Sequence, residues 1–396
     1  MTARRRITVA DRRRALVARQ HVGRPFGGGI VELVDDLVAL HATDPASVHL
    51  SVAARRPGTG GHELAESLYG RRDLVRMMGM RRTLFIVPRA LAPIVQHSSA
   101  DAVAVRIRRS LVKDLAPVVP AADRWLADVE DAVVERLVTD GDATATALVG
   151  HEPRLGTRIG DPDGRYGAVA ITSRVLTVLG AQGRIVRGRP GGGWTASRYA
   201  WSAMSRWFPD GLPRLDPDTA RVELLRRYLD RFGPVTPTDA AWWTGWSLTD
   251  TRRAMAALPV EEVDLGDGQV GLVLADLPPD VDDGGPAVAL LPALDPTPMG
   301  WKDRDWYLGP DLRATLFDRS GNIGPSVWCR GEIVGGWSQR ADGVVVHRLL
   351  RDIGAAARTA VAGEAERLTG WLAGTRVTPK FRTPLERELA KSSVTG

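Results

Sequence analysis

The sequence predicts an α+β chain: three tandem winged helix-turn-helix modules followed by a compact C-terminal β-rich domain. Helical periodicity closed by a pair of short strands recurs three times before residue 280. From Pro286 onward the pattern changes to short apolar runs separated by glycines and charged turns. At 396 residues the chain also exceeds what one hydrophobic core usually serves. The expected modules span 1–120, 121–212, 213–280 and 281–396.

In the first module the spacing predicts a helix over 9–22, with Thr8 or Asp11 near its start, and a second apolar helix over 31–40. Pro45 disfavours helix at Asp44, so His41-Ala42-Thr43-Asp44 reads as a break before a third helix over 46–54. Two apolar runs, 74–80 and 83–87, meet at Arg81-Arg82 and predict a β-hairpin with arginines at or near its tip. Helix, helix, helix, hairpin is the order of a winged helix. The Gly27-Gly28-Gly29 run is no phosphate loop, because no Gly-Lys-Ser/Thr follows and no strand precedes it.

The order recurs with helices over 121–139, 144–149 and 168–181, then a hairpin at 184–187 that turns at Gly191-Gly192-Gly193-Trp194. The polar insert at 160–164 has too few ligands for a calcium loop and reads as a turn. In the third copy an amphipathic helix over 218–232 leads to Thr236-Pro237, a cap and first-turn proline for 238–244. Ser247 and Asp250 open another helix, and 260–264 with 269–274 form the hairpin. Trp242, Trp243 and Trp246 are read as core rather than as base-stacking platforms. Beyond Pro286, runs at 287–291, 326–329, 333–337 and 344–346 predict the β domain, and 355–372 a closing helix. The tail past Thr375 is polar and is expected to lie loose.

Charge is segregated. Residues 1–125 hold 21 Lys/Arg against 11 Asp/Glu while the whole chain carries +6, so the remainder is net acidic. That concentration favours a polyanion at the first module. All but four of the 53 basic residues are arginine, which grips phosphate bidentately, although a GC-rich genome yields the same bias. Arg71, Arg72, Arg76, Arg81 and Arg82 crowd the predicted hairpin and are the candidate DNA contacts; the alternative is a structural hairpin with solvated arginines. The single cysteine excludes an intramolecular disulfide, and seven histidines without metal-ligand spacing predict no metal. No nucleophile motif or cofactor signature is present, and no apolar run suits a membrane span or a signal peptide. A cytoplasmic monomer without cofactor is expected.

Four blocks carry a resemblance: Met80-Arg-Arg-Thr-Leu-Phe-Ile-Val-Pro88; Arg227-Tyr-Leu-Asp-Arg-Phe-Gly-Pro-Val-Thr-Pro-Thr-Asp239; Leu291-Pro-Ala-Leu-Asp295 with Gly300 to Arg304; and Gly324-Pro-Ser-Val-Trp328 with Gly331 to Trp337. In this order, over nearly the whole chain, they resemble the AlkZ/YcaQ winged-helix DNA glycosylases. The resemblance implies hydrolysis of the N-glycosidic bond of N7- or N3-alkylated purines, bulky or cross-linking, in double-stranded DNA. In some relatives this protects the producer of a DNA-alkylating antibiotic. The family's catalytic Gln-x-Gln or Gln-x-Asp falls at His41-Ala42-Thr43, where both anchor residues differ.

Histidine can fill that role. Neutral imidazole offers one acceptor and one donor, as a carboxamide does, and can take a proton from water with an ordinary pKa of roughly 6.5. The resulting assignment is His41 as water-positioning group or base, Thr43 as its orienting partner and Asp44 as an electrostatic stabiliser or helix cap. The alternative for His41 is a hydrogen-bonded helix end. Scarce lysine disfavours a Schiff-base lyase step, so a monofunctional glycosylase is expected. A non-catalytic regulator or damage-binding protein is the second reading.

Overall fold

The structure, a computed structural model, describes residues 4–161, 163, 167–275 and 287–392. The chain forms two compact units: Met1–Leu64 together with Leu225–Gly396, and the contiguous Ala65–Leu224. Both combine helices with small sheets, which makes the fold α+β. The 160–164 insert and the expected boundary at 280 fall on positions (162, 164 and 276–286) outside the described residues.

In the discontinuous unit, Thr8 and Asp11 form a capping box that starts the Val9–Arg19 helix, with Thr8 N donating to Asp11 Oδ2 at 2.9 Å. Ahead of it Arg5–Arg6 lies parallel to Val260–Gly266, which pairs antiparallel with Gln269–Leu274. Sequence reading found no strand there. Pairing also removes free charge from the basic N-terminal segment: Arg4 and Arg5 meet Glu262 and Glu261, and Arg13 meets Glu332. Arg12 is buried over the Trp306 ring, 4.0 Å from its centroid. Burial lowers its pKa to about 10, although Asp239 and Asp303 favour the charged form.

The Pro237–Thr244 and Leu248–Ala256 helices start where Thr236 and Ser247 cap them, as the sequence predicts. Trp243 is buried and stacks on Tyr228 at 4.6 Å, a core role. Further on, Val288–Leu291, Ser326–Cys329, Glu332–Gln339 and Val345–Leu349 form an antiparallel meander in sequence order. The Ala355–Leu372 helix follows at its expected bounds. The tail, however, is not loose. Pro384–Lys391 is a helix that buries Leu385 and Leu389 and sends Glu386 Oε1 to Ser338 Oγ at 3.0 Å. Its three apolar positions in a charged stretch are a stripe that polarity masked.

In the contiguous unit, Leu74–Met78 and Leu84–Pro88 pair antiparallel as predicted, Leu74 opposite Pro88 and Met78 opposite Leu84. π-helical turns at Glu66–Gly70 and Gln96–Ala100 flank this hairpin. Helical structure over 92–115, absent from the sequence reading, supplies Leu111 and Leu115 to a core completed by Leu126, Val133, Val175 and Leu179. A second hairpin, Ile185–Pro190 with Tyr199–Ala203, packs Ile185 and Ala203 on that core.

Candidate catalytic segment and basic hairpin

The apolar helix before His41 is shorter than its periodicity suggests. It spans Ile30–Asp36, and Val38 then adopts φ 62°, a left-handed conformation costly for a β-branched residue. That turn directs the chain into a short strand, Leu40–His41, so His41 lies on extended backbone and not at a helix end. Leu40 and Ala42 are fully buried and anchor the segment, while His41 is 7% exposed and Thr43 half-buried. The strand ends at His41, and Thr43 lies two residues on, in the bend that leads to the next helix.

Asp44 caps the Pro45–Ala53 helix. Its Oδ1 accepts from Ala46 N at 3.1 Å and its Oδ2 from Lys380 N at 2.9 Å, so both oxygens of this buried carboxylate serve the backbone. Asp44→Ala removes the cap and orphans the Lys380 amide; a loss of about 2 kcal/mol is expected in urea melts. An unchanged midpoint would refute this role.

Behind the segment lies a cluster that sequence reasoning missed. Arg55 and Asp295 are wholly buried, and two bonds of 2.8 Å join the guanidinium fork to the carboxylate. Arg55 also donates to Gln20 O, Ser51 O and Thr297 Oγ1, and Ser51 Oγ donates to Asp295 at 2.7 Å. Burial pushes the Asp295 carboxyl up, but the Arg55 charge and these hydrogen bonds outweigh it and hold the group below its ordinary 3.8. The pair clamps the stretch that follows His41 to the Leu291–Asp295 block. An acid closing an apolar run, and an arginine after an apolar helix, were the available signals.

The hairpin arginines divide by surroundings. Arg71 pairs with Asp73 at 2.9 Å, and Arg76 is buried with its guanidinium 4.1 Å from the Tyr199 ring centre. Arg72 adopts φ 58° and lies 5.7 Å from the Trp207 ring centre. Arg81 and Arg82 form the tip, at φ 52° and 60°, with Thr83 N closing on Met80 O at 3.1 Å. Positive φ at both central positions is the turn that favours Asn-Gly, so two arginines there are held against local preference. Such strain is a pointer to function.

Among the described residues no three His, Cys, Asp or Glu side chains gather as a metal site, and no helix is long and apolar enough to cross a membrane.

The fold is similar to that of the Streptomyces sahachiroi DNA glycosylase AlkZ, with a TM-score of 0.68 at 19% identity over 92% of this chain and 97% of that one. No curated protein matches the sequence. The family model described as DNA glycosylase AlkZ-like matches residues 34–371, a span that begins before His41 and ends inside the Ala355–Leu372 helix. The chain therefore belongs to the AlkZ-like DNA glycosylase family.

Proposed function

We propose that the protein is a monofunctional DNA glycosylase for N7- or N3-alkylated purines, including bulky and cross-linking adducts, and that it guards a cell against a DNA-alkylating natural product. The family match over 34–371 carries this reading, because it takes in the whole His41–Asp44 segment. Three tandem winged helices and a β-rich C-terminal domain are the module plan we assign to it.

Alkylation at N7 leaves the purine ring cationic, so it departs with the C1′–N9 electron pair as a neutral base and needs little acid catalysis. The enzyme must place water at C1′ and stabilise an oxocarbenium-like sugar. His41 positions that water and takes its proton as the oxygen bonds to C1′; Thr43 orients the pair through its hydroxyl. Asp44 contributes a buried negative charge near them while it caps its helix. Protonated imidazole would repel the sugar, so the neutral form is the working one.

Incubation with duplex DNA containing N7-alkylguanine, followed by alkali, tests the reading. Strand breaks at the lesion are expected. Binding without breaks across small, bulky and cross-linked adducts would favour the regulator or damage-binding alternative, for which His and Thr in place of the family's glutamines speak.

At the hairpin tip, the double change Arg81→Asn and Arg82→Gly replaces strained arginines by the residues the turn prefers. It is expected to stabilise the unit by about 1 kcal/mol and weaken duplex binding several-fold. Stability and affinity moving together would contradict a DNA-contacting tip.

A further inference from the structure

The second hairpin sorts its cations by what they touch. Arg184 pairs with Asp131 at 2.7 Å. Arg187 and Arg189 face rings instead: the Arg187 guanidinium lies 5.5 Å from the centres of both Tyr199 and Trp201, and that of Arg189 lies 5.3 Å from Tyr69. From the Leu74–Met78 strand of the same unit, Arg76 also lies over Tyr199, 4.1 Å from its ring centre. Tyr199 is thus shared by two guanidinium groups.

What surrounds Arg187 is unusual for a half-buried cation. Burial lowers its pKa, and the like charge of Arg76 adds to that. Its Nε is buried and makes no hydrogen bond among the described residues. Gathering cations out of water is costly unless an anion joins them. The aromatic faces hold the planar groups of Arg187 and Arg189 in place at small cost and leave guanidinium edges of these two for a partner. Arg189 is exposed, so the cluster reaches solvent.

We infer that Arg187 and Arg189, set against Tyr69, Tyr199 and Trp201 with Arg76 beside them, form a phosphate-binding site for the duplex backbone, a second DNA contact separate from the Arg81-Arg82 tip. The inference rests on the protein acting on DNA. Arginine forks match phosphodiester oxygens in pairs. Backbone contact carries no base information, so the site sets affinity and register and leaves the lesion unread.

The test is duplex binding by the full chain between 50 and 200 mM salt, on undamaged and N7-methylguanine DNA, for wild type, Arg189→Gln, Arg187→Gln/Arg189→Gln and Arg184→Gln. Each lost phosphate contact should flatten the slope of log K against log salt by about 0.9. Arg189→Gln is expected to lose about one contact and the double variant about two, equally on both duplexes, while Arg184→Gln keeps the wild-type slope. Because Arg189 is exposed, its variant keeps the test valid if the double variant misfolds. Slopes no flatter than that of Arg184→Gln, or a wild type that binds no duplex, overturn the site. A wild type that binds duplex and releases no base defeats the glycosylase reading alone, and the slopes still decide this one.

Discussion

Arg55→Ala is expected to destabilise the discontinuous unit by about 3 to 5 kcal/mol, because it leaves the buried Asp295 carboxylate without its cation. At roughly 2–4 °C per kcal/mol this lowers the melting temperature by about 6 to 20 °C. Arg55→Lys should recover little, since an ammonium cannot span both carboxylate oxygens while reaching Gln20 O and Thr297 Oγ1. Acid supplies an independent check. Asp295 is held below 3.8 in the folded state, so the stability it contributes is complete above that value and is lost as pH falls through the lower folded value. In Arg55→Ala the depressing charge is gone and only the Ser51 and Thr297 hydrogen bonds are left to oppose burial, which favours the neutral acid. The gap between wild type and variant should therefore narrow as pH falls below 3.8 in chemical denaturation. A constant gap, or a loss below about 1 kcal/mol, would show that the pair is incidental.

His41→Ala is expected to slow base release by about 10²- to 10⁴-fold, the range for a positioned proton acceptor, with duplex affinity little changed. The informative partner is His41→Gln. A carboxamide positions water with one acceptor and a donor but takes no proton. It should restore much of the rate, because it still places the water. Equal rates for wild type and His41→Ala would end the catalytic assignment. A full wild-type rate in His41→Gln would reduce His41 to a positioning group.

Much of the fold was legible because it is local. The Ser326–Cys329 strand and the Ala355–Leu372 helix fall at their expected bounds, since alternation and helical spacing are written within each segment. What escaped depends on partners far along the chain. Arg5–Arg6 becomes a strand only against Val260–Gly266, and the terminal helix is defined by the surface that buries Leu385 and Leu389. Leu40–His41 escaped for another reason: Val38 takes a conformation its side chain disfavours, and propensity cannot anticipate a strained turn. At the candidate site, the identity of His41 and Thr43 was readable and the strand that carries His41 was not. The hairpin was readable, but its arginines had to be seen among Tyr199, Trp207 and Asp73 to be told apart.

The Arg55–Asp295 clamp also bears on when the protein becomes competent during synthesis. Its two halves are 240 positions apart, and Asp44 waits for Lys380, 336 positions later. At ribosomal speeds of about 5–20 residues per second, the clamp cannot close until roughly 12–50 s after Arg55 is made. Ala65–Leu224, by contrast, is contiguous and needs no partner beyond Leu224 to complete its unit. The segment bearing His41 takes its final form only once Lys380 has been made, so a nascent chain that stops short of it would lack the bond that holds Asp44.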